Sequence, residues 1–101
     1  MKRFPSNLRR EPPAGSDSIN NYVLAAGVVK SVAVPTGARF AVMSATGAFY
    51  ARWSGAAAVP AADVTDGTGV EANPTVRAVD GVASFSLVAP AACVVAVAWY
   101  N

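Results

Sequence analysis

From Ile19 onward, turn-forming residues cut this chain at roughly the 8–12-residue spacing typical of antiparallel sandwiches and barrels. The cuts are Pro35-Thr36-Gly37, Thr46-Gly47, Pro74, Asp80-Gly81 and Pro90. Between them the text is rich in valine, with 16 Val and 22 Ala but only 3 Leu and 1 Ile in 101 residues. A coiled coil or long-helix protein needs Leu, Glu and Lys in bulk, so that class is excluded. Charged residues make up only 14% of the chain, which argues against disorder of its body. The length suffices for one core and not for two.

The segments read as six to eight short strands. Ile19–Ala25 is the first. Val28–Val34 places Val28, Val32 and Val34 on one face, with Lys30 among them. Arg39–Ala45 sets Phe40 and Val42 opposite Arg39 and Met43. Ala48–Trp53 sets Phe49, Ala51 and Trp53 opposite Tyr50 and Arg52. With Thr46-Gly47 between them, the last two read as a hairpin with a two-residue loop. Ser54–Pro74 reads as a long loop with one short strand at Ala56–Val59, although Ala56-Ala57-Ala58 has helical propensity. Thr75–Val79 is a further short strand. Val82–Val88 places Phe85 and Leu87 opposite Ser84 and Ser86. Cys93–Tyr100 closes the sequence as an apolar strand, central or covered on both faces.

Residues 1–18 read differently. Pro5, Pro12 and Pro13 block ladder and helix bonding, and Gly15, Ser16, Asp17 and Ser18 add turn chemistry. The expected organisation is a flexible, extended N-terminal arm over residues 1–18 and a single β-sandwich domain over residues 19–101. The net charge of +2 divides unevenly: residues 1–13 carry +3 and the rest −1. A nucleic-acid-binding domain spreads its Lys and Arg over one face, and this body does not. Polar residues interrupt the basic start where a secretory signal needs an apolar core. No apolar run approaches the roughly 20 residues of a membrane-spanning helix.

Catalytic signatures are hard to find. The absence of His removes His-based triads and most zinc sites. Cys93 sits in an apolar run with no cationic neighbour in sequence, which fits a buried thiol better than a nucleophile. Asp63, Asp66 and Glu71 gather carboxylates, but without the spacing of a dedicated calcium loop they read as a solvated Asp-Gly turn. No catalytic, cofactor or metal residue is therefore assigned. Contact residues are easier to nominate, because Trp, Tyr and Arg are enriched at interface hot spots. Phe4 and Leu8 are the arm's apolar anchors, Arg9 and Arg10 its anion clamps. Tyr50 and Arg52, with Trp99 or Tyr100, are candidates for an exposed patch on the body.

Three phrases carry a family resemblance: VPTGARFAVMSATGAFYARWSG, VPAADVTDGTGVEANPTVRAV and SFSLVAPAACVVAVAWYN. The stretch from Val28 to Asn101 resembles small virion proteins of tailed bacteriophages, of the kind that decorate or cement the capsid. The resemblance implies a jelly-roll-like β-sandwich that binds the major capsid protein between capsomers and stabilises the mature head. It implies a location on the capsid surface after synthesis in the host cytoplasm, and no enzymatic role. Self-association is expected too, since the edges of so apolar a sheet need covering. The alternatives are a tail, connector or fibre-base component of the virion, and a carbohydrate- or surface-binding module that stacks on Trp53, Trp99 and Tyr100.

Overall fold

A computed structural model of the chain describes residues 1–4 and 15–101. The strands are β1 (Ile19–Leu24), β2 (Lys30–Ala33), β3 (Phe40–Ala45), β4 (Tyr50–Arg52), β5 (Glu71–Ala72), β6 (Val76–Ala78), β7 (Ser84–Val88) and β8 (Cys93–Tyr100). There is no helix among the described residues. The strands form two four-stranded sheets, ordered β1-β8-β3-β6 and β2-β7-β4-β5. Every pairing between these strands is antiparallel.

One rule generates both orders. β1 pairs with β8, β2 with β7, β3 with β6 and β4 with β5. The two halves of the chain thus run side by side as a ribbon that doubles back at the β4–β5 connection. The ribbon swings alternately between the sheets, and the contacts β3·β8 and β4·β7 complete each one.

Strand alternation sends one set of side chains into the space between the sheets. The first sheet contributes Ala41, Met43, Val95, Val97 and Trp99, and the second contributes Val32, Ala51, Phe85 and Leu87. The rings of Phe85 and Trp99 meet across the gap at 6.2 Å. Each fully buried Val or Leu contributes about 1.5–3 kcal/mol. Cys93 belongs to this core as a buried thiol.

The hairpin expected between Arg39–Ala45 and Ala48–Trp53 does not form. Both strands exist, but β3 and β4 lie in different sheets. β3 uses its edges on β8 and β6 instead. Thr46-Gly47 is the corner where the chain changes sheet. The Thr46 N–H donates to the Val94 carbonyl at 3.0 Å, and the Thr46 hydroxyl accepts the Val94 N–H at 3.0 Å. Gly47 passes so near β8 that an added Cβ would lie 3.2 Å from that of Cys93. Asp80-Gly81 is likewise a turn, with Gly81 at φ +80° and the Val82 N–H bonded to the Val79 carbonyl. It too leads from one sheet to the other.

The strand expected at Ala56–Val59 is absent. Residues 54–70, broken by Gly55, Pro60, Gly67 and Gly69, instead cover the outer face of the second sheet. Ser86 holds this cover down: its hydroxyl accepts the Ala57 N–H at 2.7 Å and donates to the Gly55 carbonyl at 2.9 Å. Ser86 is consequently buried although its side chain points away from the core. β8 is central, as expected, but its outer face is not covered along its length, since Val94 remains 37% exposed.

The first residues lie against the last. The Phe4 N–H donates to the Asn101 carbonyl and the Asn101 N–H to the Lys2 carbonyl, both at 2.9 Å.

Candidate functional site

The nominated contact residues do not converge. Tyr50 and Arg52 share the outer face of β4, both half-buried, with Arg52 beside the covering loop. Tyr100 lies on the outer face of the other sheet and is buried. Phe4 covers it, with the Phe4 ring stacked on Phe40 at 4.8 Å and edge-on to Tyr100 at 5.6 Å. Phe4 and Tyr100 therefore face each other, while Tyr50 and Arg52 sit on the opposite side of the molecule. Leu8, Arg9 and Arg10 lie outside the described residues.

The stacking platform imagined for a sugar is also taken apart. Trp99 is fully buried in the core, and its Nε1–H finds no acceptor among the described residues. Trp53 packs on Phe85 at 4.7 Å. No ring of this set offers a free flat face beside another.

Two open surfaces stand out among the described residues; the sequence pointed to Arg52, which borders the first, but not to the groove or to the sheet face as such. The first is a groove beside Arg52. One part, of about 460 Å³, is lined by the loop residues Ala56, Val59, Pro60 and Val64. The adjoining part, of about 730 Å³, reaches Trp53, Glu71 and Arg77. At that end lies a polar knot. Arg77 on β6 sits opposite Ala41, and Glu71 on β5 sits opposite Ala51, so both face inward from the edge strands of opposite sheets. Their side chains form an ion pair that spans the open side of the sandwich. The Trp53 Nε1–H donates to Glu71 Oε1 at 3.0 Å. The hydrogen bonds from Arg77 hold the Glu71 carboxyl below the ordinary glutamate range, with the indole helping and burial opposing. Inward-facing charges at short edge strands also discourage edge-to-edge pairing. On the far side of the sandwich the Lys30 Nζ donates to the Val23 carbonyl at 2.9 Å.

The carboxylates of residues 63–71 do not assemble into a cage. Asp66 accepts the hydroxyl and N–H of Thr68, which lower its pKa, and Glu71 is taken by Arg77. Among the described residues no three metal-ligating side chains converge.

The second surface is the outer face of the β1-β8-β3-β6 sheet. Register places Ile19 and Val23 of β1, Val94 and Ala96 of β8, Val42 of β3 and Val76 of β6 on it. Ile19 is 53% and Val23 66% exposed. No strand residue on this face is charged. Its signal was present in the sequence as alternation, but which side faced the core depended on the partner sheet. Asn21 and Ser44 flank Ala96 on the same face, so the exposed apolar side chains form rows on either side of them; exposed apolar surface of this kind marks interaction sites on proteins.

No family model, curated protein or solved structure matches this chain. No helix among the described residues is long and apolar enough to cross a membrane.

Proposed function

We propose that this protein is a non-enzymatic structural component of a tailed-bacteriophage virion, a decoration protein that binds between capsomers and stabilises the mature head. The observation that carries this reading is the strand order. Eight strands ordered β1-β8-β3-β6 and β2-β7-β4-β5 support a jelly roll, an architecture used by viral capsid and lectin domains. The likeness of Val28–Asn101 to small phage virion proteins points the same way. The uncharged outer face of the first sheet suits a seam between subunits, and Arg52, beside the loop groove and on the same strand face as Tyr50, offers a second contact. Many copies, each held by modest contacts, would add interfacial free energy that opposes rupture of the shell by packaged DNA.

The test is co-sedimentation of the purified protein with mature phage heads that lack it, and with unexpanded procapsids. Saturable binding to mature heads, one site per capsomer seam, is expected. Ala96→Glu should weaken it on one face and Arg52→Ala on the other. Absence from heads, or a handful of copies per particle, would remove the decoration reading and favour a tail or connector component.

A further inference from the structure

We infer that β1 is a pairing edge for a second copy of this chain, joining two first sheets into one continuous eight-stranded sheet across a two-fold axis. The inference stands on the edge itself and does not depend on the capsid reading.

The Trp99 N–H donates to the Ser18 carbonyl, and the register sets Ile19 opposite Ala98. In an antiparallel ladder bonded and non-bonded residues alternate. Asn20, Tyr22 and Leu24 therefore bond to β8, while Ile19, Asn21 and Val23 turn their N–H and C=O groups to the side on which no described strand pairs with β1. The Lys30 ammonium on the Val23 carbonyl lies on that same side. A carbonyl has two lone pairs, so Val23 can still accept a strand bond.

The four sheet edges are not guarded equally. β5 and β6 are two and three residues long and carry the inward Glu71 and Arg77. β2 is four residues long and begins with Lys30. β1 is six residues long, INNYVL, with no charge and no proline. Natural proteins shorten, charge or cover edges to prevent pairing, and β1 alone has none of these built into its own sequence.

A second copy is the occupant because the strand complements itself. Set antiparallel about Asn21, Ile19 of one copy falls opposite Val23 of the other, and the two Asn21 amides face each other. Apolar and amide pairs then meet across the axis with no like charges opposed. The strip carries no charge with which to select a different partner, and two-fold pairing is the commonest symmetry of soluble oligomers. Pairing would leave the uncharged outer faces of both copies side by side as one surface.

Sedimentation equilibrium on the full chain, combined with amide hydrogen exchange by NMR, tests this. The expected mass is twice that of the chain. The amides of Ile19, Asn21 and Val23 should be slowed in proportion to dimer population, whereas those of Asn20, Tyr22 and Leu24 are slow in monomer and dimer alike. Val23→Lys, at a side chain 66% exposed, should return the mass to that of one chain with the fold intact. If that variant misfolds, the exchange pattern of the unmodified chain decides alone. A monomer at millimolar concentration overturns the inference. So does an assembly whose three outward amides exchange freely, or a dimer that survives a folded Val23→Lys.

Discussion

Glu71 gathers more side-chain hydrogen bonds than any other carboxylate described above, from Arg77 and from Trp53. Its pKa in the folded state is lowered from 4.5. The stabilisation it brings is therefore complete above that value and is lost as pH falls through the folded one. Glu71→Gln should destabilise the protein at neutral pH. With about a third of the Glu71 side chain exposed, solvent screening holds the loss to about 1 kcal/mol. Denaturation midpoints of the two proteins should draw together in acid, and a constant gap at all pH values would refute the clamp. The sequence offered Glu71 only as the last acid of a polar loop. Its partner, Arg77, looked like one charge in a short strand. What joins them is that two edge strands from different sheets close on each other, which neither local composition nor spacing records. Cys93 was the reverse case: an apolar run with no cation beside it sufficed to place the thiol in the core.

At the scale of elements, the existence of strands was easier to read than their partners. β8 runs from Cys93 to Tyr100, the bounds that its apolar run and Pro90 suggest. β1 and β7 fall within the segments marked by alternation and turns. The β3–β4 hairpin was misread because Thr46-Gly47 has the chemistry of a tight turn, and a turn fixes a change of direction without fixing the sheet. The deciding contacts, from Thr46 to Val94 and from Gly47 to Cys93, come from residues far along the chain. Gly47→Ala tests that corner. Its Cβ would press on that of Cys93, which the β8 backbone holds in place, so the variant should lose about 1–2 kcal/mol. Urea denaturation measures this, and an unchanged midpoint would mean that the corner has slack. The loop over residues 54–70 was legible as a loop. Its role as a cover was not, because Ser86 reads as the polar side of a strand until the Ala57 N–H is found on it.

The whole molecule is tied where its ends meet. Lys2 and Phe4 bond to Asn101, and the Phe4 ring closes over Phe40 and Tyr100. Phe4→Ala should lower stability by about 2 kcal/mol, from lost ring contacts and buried area. Thermal and denaturant midpoints check this, and a loss close to zero would show that the ends are tied by backbone bonds alone. The contact residue proposed from sequence is thus also a brace within its own chain, and capsid-binding assays on Phe4 variants need a stability control. The ribbon pairing of β1 with β8 has a consequence for synthesis. β1 is made before β8, and residues 25–92 must be added before the strand it bonds to can emerge. At roughly 5–20 residues per second the wait is on the order of several seconds. The first sheet cannot close during that time, and the uncharged β1 stays unpaired along both edges. In a cell making many copies at once, nascent chains on neighbouring ribosomes are exposed to one another through that strand before any of them can fold.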